Sequence, residues 1–200
     1  MIKNKSHLDN EIKFNYFFIH NYKTLGTTIY SQLPKEYNDL YYGFRNLKDV
    51  EIKNPNIILN PNYDKKKKNS LDHHHVDKMI DMGFLKKDLS KIKFMMIVRD
   101  PIDRFLSICN FHKISPENLI YKLKNKIDDN FYQNKFIKSK HNLDFLIFKM
   151  NNKKGIINFF KNYNININLD KKMNVSIKKY NINNLKEKNI IFLKKFYEED

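Results

Sequence analysis

The chain predicts an α/β protein: a central parallel sheet flanked by helices. Two features of the sequence predict it. Short apolar runs of strand length recur along the chain, and the strongest of them are followed by a loop and then a helical segment. The size also fits, since 200 residues with 41% hydrophobic and 14% aromatic content suit one domain spanning 1–200 with a core of its own.

The elements follow in order. Residues 14–19, FNYFFI, read as a buried strand. Gly26 to Leu33 reads as a helix, stopped by Pro34. Residues 55–59, PNIIL, form a short strand candidate between asparagine- and proline-rich turns, and 63–70, YDKKKKNS, a charged loop. Val76 to Met82 is a short helix with Gly83 as its stop. Residues 93–98, KFMMIV, are a second buried strand. Pro101 to Phe111 then forms a helix with proline at a tolerated first-turn position, and Pro116 begins another. LDFLIF (143–148) is a later strand, Ile156 to Phe160 a helical segment, and IIFLKKFYEED (190–200) a closing helix. No repeat and no linker divides the chain.

Composition narrows the function classes. No run approaches the roughly 18 apolar residues of a membrane span. The polar start, MIKNKSHLDNEIK, lacks the apolar centre of a signal peptide. One cysteine, Cys109, excludes an internal disulfide and a cysteine-based zinc site. The expectation is a soluble, cytoplasmic protein. The net charge of +16 asks for an anionic partner, although lysine, asparagine and isoleucine dominate the chain and much of the lysine reads as solvated surface. The arginines say more. There are three, Arg45, Arg99 and Arg104, and two are close together in sequence. Where lysine is the default cation, an arginine pair suggests need of the planar fork that grips phosphate or carboxylate.

The loop HNYKTLGTT follows the first strand and opens a helix. Backbone N–H groups at a helix start favour anions. Gly26 admits close approach, Thr27 and Thr28 add hydroxyls, and Lys23 adds charge. This is phosphate-cradle chemistry, but an ordinary strand-to-helix turn has the same outline. It is not a Walker loop, because the lysine precedes the glycine. The second strand repeats the arrangement in FMMIVRDPIDRFLSICNF, with Arg99 at its end and Ser107 on the following helix, placed to converge on one anionic group. Asp100 and Asp103 read as helix N-terminal charges, with Arg104 pairing with one of them.

FFIHNYKTLGTTIY and IVRDPIDRFLSICNF together resemble the two cofactor motifs of the sulfotransferases that use 3′-phosphoadenosine-5′-phosphosulfate, and most closely the Golgi-type carbohydrate enzymes of the heparan and chondroitin kind. The resemblance implies a P-loop-like three-layer sandwich. It implies that Lys23, Thr24, Gly26, Thr27 and Thr28 bind the 5′-phosphosulfate end of the donor, and that Arg99 and Ser107 bind the 3′-phosphate. Tyr22 stands where the family usually has proline, and Met150 or Asn151 where it has an acidic residue after the late strand.

Between the motifs lies LDHHHVDKMIDMG. Three consecutive histidines point in different directions and cannot all meet one ion, so no metal is expected. They read either as solvated loop residues or, by the resemblance, as the source of a general base, with His73 first, His74 next and His75 third. A histidine titrating near pH ~6.5 suits that work. His20 reads as structural.

The implied reaction moves a sulfuryl group to an acceptor hydroxyl by in-line displacement, with Lys23 stabilising the charge that develops on the leaving nucleotide. The acceptor is a carbohydrate by the resemblance; the residues themselves leave a protein tyrosine or a small alcohol open. Two other readings stand beside it. One is a basic nucleic-acid-binding module, disfavoured because the special residues sit at strand ends and not along one groove. The other is a non-catalytic member of the same fold; a nucleotide kinase is disfavoured by the absence of a true Walker loop.

Overall fold

A parallel sheet runs through the molecule, and its chain order places β1 and β3 side by side. The computed structural model describes residues 16–34, 41–42 (backbone), 75–81, 93–125, 133, 136, 139–141, 143–171 and 179–198. Strands β1 (Tyr16–Ile19), β2 (Tyr41–Tyr42), β3 (Lys93–Val98) and β4 (Asp144–Lys149) lie in the spatial order β2-β1-β3-β4, all neighbours parallel. Three are full strands and β2 is a two-residue edge. Phe17 is in register with Phe94, and Phe94 with Phe145.

The burial of β3 explains its sequence. Its four consecutive residues Phe94 to Ile97 are buried, as a central strand covered on both faces requires, so no polar alternation is present. β4, at the edge, carries exposed residues in its run.

The helices are α1 (Gly26–Tyr30), α2 (Val76–Asp81), α3 (Pro101–His112), α4 (Pro116–Lys124), α5 (Lys153–Lys161) and α6 (Glu187–Phe196), the last preceded by a 3-10 turn at Ile182–Asn184. Ile29 of α1, Met79 of α2 and Phe160 of α5 pack with the strands into one core. Phe105 and Cys109 of α3, Leu119 and Leu123 of α4 and Leu193 of α6 form a second.

Local chemistry sets the helix ends. Asp100 caps α3 by accepting from the Asp103 N–H at 2.9 Å, with Pro101 at the first helical position. Ser115 caps α4 in the same way through Asn118 N–H at 3.2 Å. Asn152 caps α5 by accepting from Gly155 N–H at 3.0 Å, which starts that helix three residues earlier than its apolar pattern predicts. Likewise α6 begins at Glu187 and ends at Phe196, before the acidic tail. α1 is shorter than expected and continues as a turn, in which Leu33 N–H still reaches Ile29 C=O at 3.1 Å. The strand expected at 55–59, the loop at 63–70 and the Gly83 stop lie outside the described residues. Among the described residues no helix is long and apolar enough to cross a membrane.

Candidate functional site

The order β2-β1-β3-β4 reverses direction at the β1/β3 boundary: after β1 the chain goes to one side, and for β3 it comes to the other. In open parallel sheets such a point leaves a crevice at the carboxyl ends of the two strands. Both loops singled out in the sequence open there.

The first loop turns sharply after Ile19. Lys23 and Leu25 have φ of 62° and 68°, a left-handed conformation that is unusual for side chains of this size. Thr24 holds the turn closed, its hydroxyl donating to Asn21 C=O at 2.7 Å. Thr28 is buried in α1, Thr27 half-buried. Gly26 has a reason the sequence does not show. A Cβ there would lie 2.0 Å from Cδ2 of His20, so the glycine makes room for the His20 ring.

The second loop is fastened to the first through the core. Gln133 pairs with the backbone of Arg99 on both sides: its Oε1 accepts from Arg99 N–H at 2.8 Å and its Nε2 donates to Arg99 C=O at 2.7 Å. The same Oε1 accepts from Asn21 Nδ2 at 2.9 Å. Asn21 Oδ1 in turn accepts from Arg104 at 3.1 Å. Arg104 is fully buried, with its guanidinium 6.0 Å from the Tyr197 ring. The expected pairing of Arg104 with Asp100 or Asp103 is therefore replaced by a core role; both aspartates are exposed at the start of α3, and Asp100 is occupied as a cap.

Among the described residues, the cations at these strand ends are Lys23 and Arg99, both half-buried. Burial lowers the Lys23 ammonium below its ordinary value, and the Arg99 charge nearby lowers it further. Burial also lowers Arg99, while Asp103 and Asp100 act in the opposite direction. Two cations from different strand ends thus share a partly desolvated place, where the Arg99 charge disfavours that of Lys23.

An aromatic wall stands beside them. Lys23 Nζ lies 4.0 Å from the centre of the Phe111 ring. Tyr22 stacks on His112 at 5.8 Å and meets Phe111 edge-on at 6.2 Å. The Tyr22 hydroxyl hydrogen-bonds Nε2 of His112. Ser107 lies half-buried on the same helix, at its second turn.

His75 precedes α2, and its Nδ1 accepts from Lys78 N–H at 3.3 Å, so this histidine caps the helix. His73 and His74 lie outside the described residues. α2 itself is braced from the segment before β4: Asp77 accepts from the Ser139 hydroxyl and from Lys140 N–H at 3.1 Å, and Lys140 Nζ reaches Asp81 at 3.2 Å.

The residues that reading the sequence missed are Asn21, Gln133, Phe111 and His112. A signal existed only for the last two, an aromatic and an imidazole at the end of a helix whose start carries Arg99. Comparison of the chain with protein-family models, curated proteins and solved structures returned no match.

Proposed function

We propose that the chain binds 3′-phosphoadenosine-5′-phosphosulfate across the carboxyl ends of β1 and β3 and transfers its sulfuryl group to an acceptor hydroxyl on a carbohydrate. The finer fold proposed with it is the P-loop-like three-layer sandwich. One observation carries the reading: Lys23 and Arg99, each at the end of a different strand, converge in a half-buried place where the Arg99 charge weakens the hold of Lys23 on its proton. Two such cations side by side are unfavourable without a shared anion and favourable with one. The fit to the donor is chemical: one anionic molecule that carries phosphate at both ends can neutralise both cations, offering one phosphate to each loop.

The donor, when bound, supplies the sulfuryl group and a phosphate leaving group. The chain supplies the rest. Lys23 neutralises charge at the leaving oxygen, in a place where partial desolvation strengthens the effect. Arg99 and Ser107 hold the 3′-phosphate, with the Arg99 backbone fixed by Gln133. By the resemblance, His73 or His74 receives the acceptor's proton.

The test is calorimetric titration with adenosine 3′,5′-bisphosphate and, separately, with single-stranded DNA at moderate salt. The nucleotide is expected to bind and Arg99→Ala to weaken it by ~2–5 kcal/mol, the usual cost of removing a charged partner. Lys23→Ala is expected to abolish transfer with a smaller effect on that affinity. Tighter binding of DNA than of nucleotide, or an Arg99→Ala chain with unchanged affinity, would refute the assignment.

A further inference from the structure

Resting on the donor site just described, we propose that Tyr22 and His112, in place of His73 or His74, form a proton relay for the acceptor hydroxyl, with His112 as the terminal base. The pair sits beside Lys23. Tyr22 immediately precedes Lys23 in the first loop, and both side chains meet the end of α3, Lys23 over Phe111 and Tyr22 on His112. The Tyr22 hydroxyl and His112 Nε2 are already hydrogen-bonded. Burial lowers the proton affinity of the His112 imidazole, and two cations in its neighbourhood, Lys23 from the loop and Lys122 from α4, lower it further.

The step balances. Tyr22 Oη takes the acceptor's proton while the acceptor oxygen bonds to sulfur and the sulfur–oxygen bond to the phosphate breaks. Tyr22 passes its own proton to His112 Nε2, leaving an imidazolium that solvent later discharges. Lys23 neutralises the electron pair left on the phosphate oxygen.

The arrangement is also self-timing. Lys23 is one of the charges that lower the proton affinity of His112. A phosphate on Lys23 cancels that charge, so His112 becomes the stronger base when the donor site is filled. The residue at position 22 is tyrosine where the family resembled has proline, and proline offers no hydroxyl to such a relay.

The test begins with His112 itself, by ¹⁵N–¹H NMR of the imidazole across pH in the full chain, with and without adenosine 3′,5′-bisphosphate. The expected result is an unprotonated Nε2 at neutral pH and a pKa that rises when the nucleotide is added. A proton resident on Nε2, or a pKa unmoved by bound nucleotide, overturns the relay. Single-turnover transfer from labelled donor to chondroitin follows. Tyr22→Phe and His112→Asn are each expected to slow transfer by about 10²-fold or more, the double variant no further, with nucleotide affinity unchanged. Either single variant transferring at the unaltered rate overturns the relay. A wild-type chain that binds no nucleotide overturns the donor site and the relay with it; normal binding with a protonated Nε2 overturns the relay alone.

Discussion

Asn21 and Gln133, 112 positions apart in the chain, hydrogen-bond side chain to side chain at 2.9 Å beneath the two loops of the site. Asn21 belongs to the turn that presents Lys23, and Gln133 grips the backbone of Arg99. The spacing of the two cations is therefore set by buried amides and not by the cations themselves.

Gln133→Leu is expected to orphan the Arg99 N–H, the Arg99 C=O and the Asn21 amide. At roughly 1–3 kcal/mol for each buried group left unpaired, the loss is about 3 kcal/mol or more. Urea denaturation measures it, and nucleotide affinity should fall in parallel. Gln133→Glu keeps the acceptor and loses the donor, so it should fall between. A Leu variant as stable as the wild type would show that the amide clamp holds nothing.

Gly26→Ala places a methyl group against the His20 ring. Overpacking of this kind costs about 1–3 kcal/mol. Removing the ring as well, in His20→Ala with Gly26→Ala, should recover much of that loss. A double-mutant cycle on unfolding free energies reads the coupling directly. Additive losses would mean the imidazole and the glycine do not meet.

Lys23→Met should stabilise the chain while abolishing transfer. The folded chain holds the Lys23 proton more weakly than the unfolded chain does, through burial first and Arg99 second. The resulting penalty is full at neutral pH and is relieved as pH rises from the folded value toward the ordinary 10.5. Methionine keeps a contact with the Phe111 ring and carries no charge. Thermal melts of both chains from pH 7 to 10.5 should show the advantage of the variant shrinking with pH. An advantage that is absent or grows with pH would contradict the electrostatic account.

Asp77→Asn tests the brace under α2. Burial raises the Asp77 carboxyl, but the Ser139 hydroxyl, the Lys140 N–H and the charges of His141 and Lys140 outweigh it and leave it below 3.8. A depressed carboxyl contributes stability above its unfolded value and loses it as pH falls through the folded one. The substitution should cost about 1 kcal/mol at pH 7, after allowance for solvent around a half-buried group, and little near pH 2. Denaturation at the two pH values decides; equal costs at both would remove the charge from the explanation.

What the sequence made legible was periodic or punctuated. β3 is legible to the residue, and β1 and β4 nearly so, because strand-length apolar runs carry their own signal. Pro101 and Pro116 marked their helices for the same reason that proline is tolerated in a first turn. The Asn152 cap was missed, since a lone asparagine ahead of two lysines looks like any loop residue. Lys23 and Arg99 were legible from their place after strands. Gln133 and Asn21 were not, because a polar side chain announces nothing about a partner so distant in sequence. The exchange of an Arg104–aspartate pair for an Arg104–Asn21 bond has the same cause: sequence proximity favoured the aspartates, and the fold turned the guanidinium inward.

The register of Phe17 on Phe94 and of Phe94 on Phe145 means that every pairing across the full strands closes a long stretch of chain. Such closures are slow, and their entropy is spent before the contacts return anything. Lys23 and Arg99 are consequently strangers until the sheet is complete, and an anion has nothing to grip in a partly folded chain. Ligand then acts on the native state alone: at a hundred times its dissociation constant it adds about 2.7 kcal/mol to stability. For a chain that carries a net charge of +16, an anion held at that place would be part of what keeps it folded.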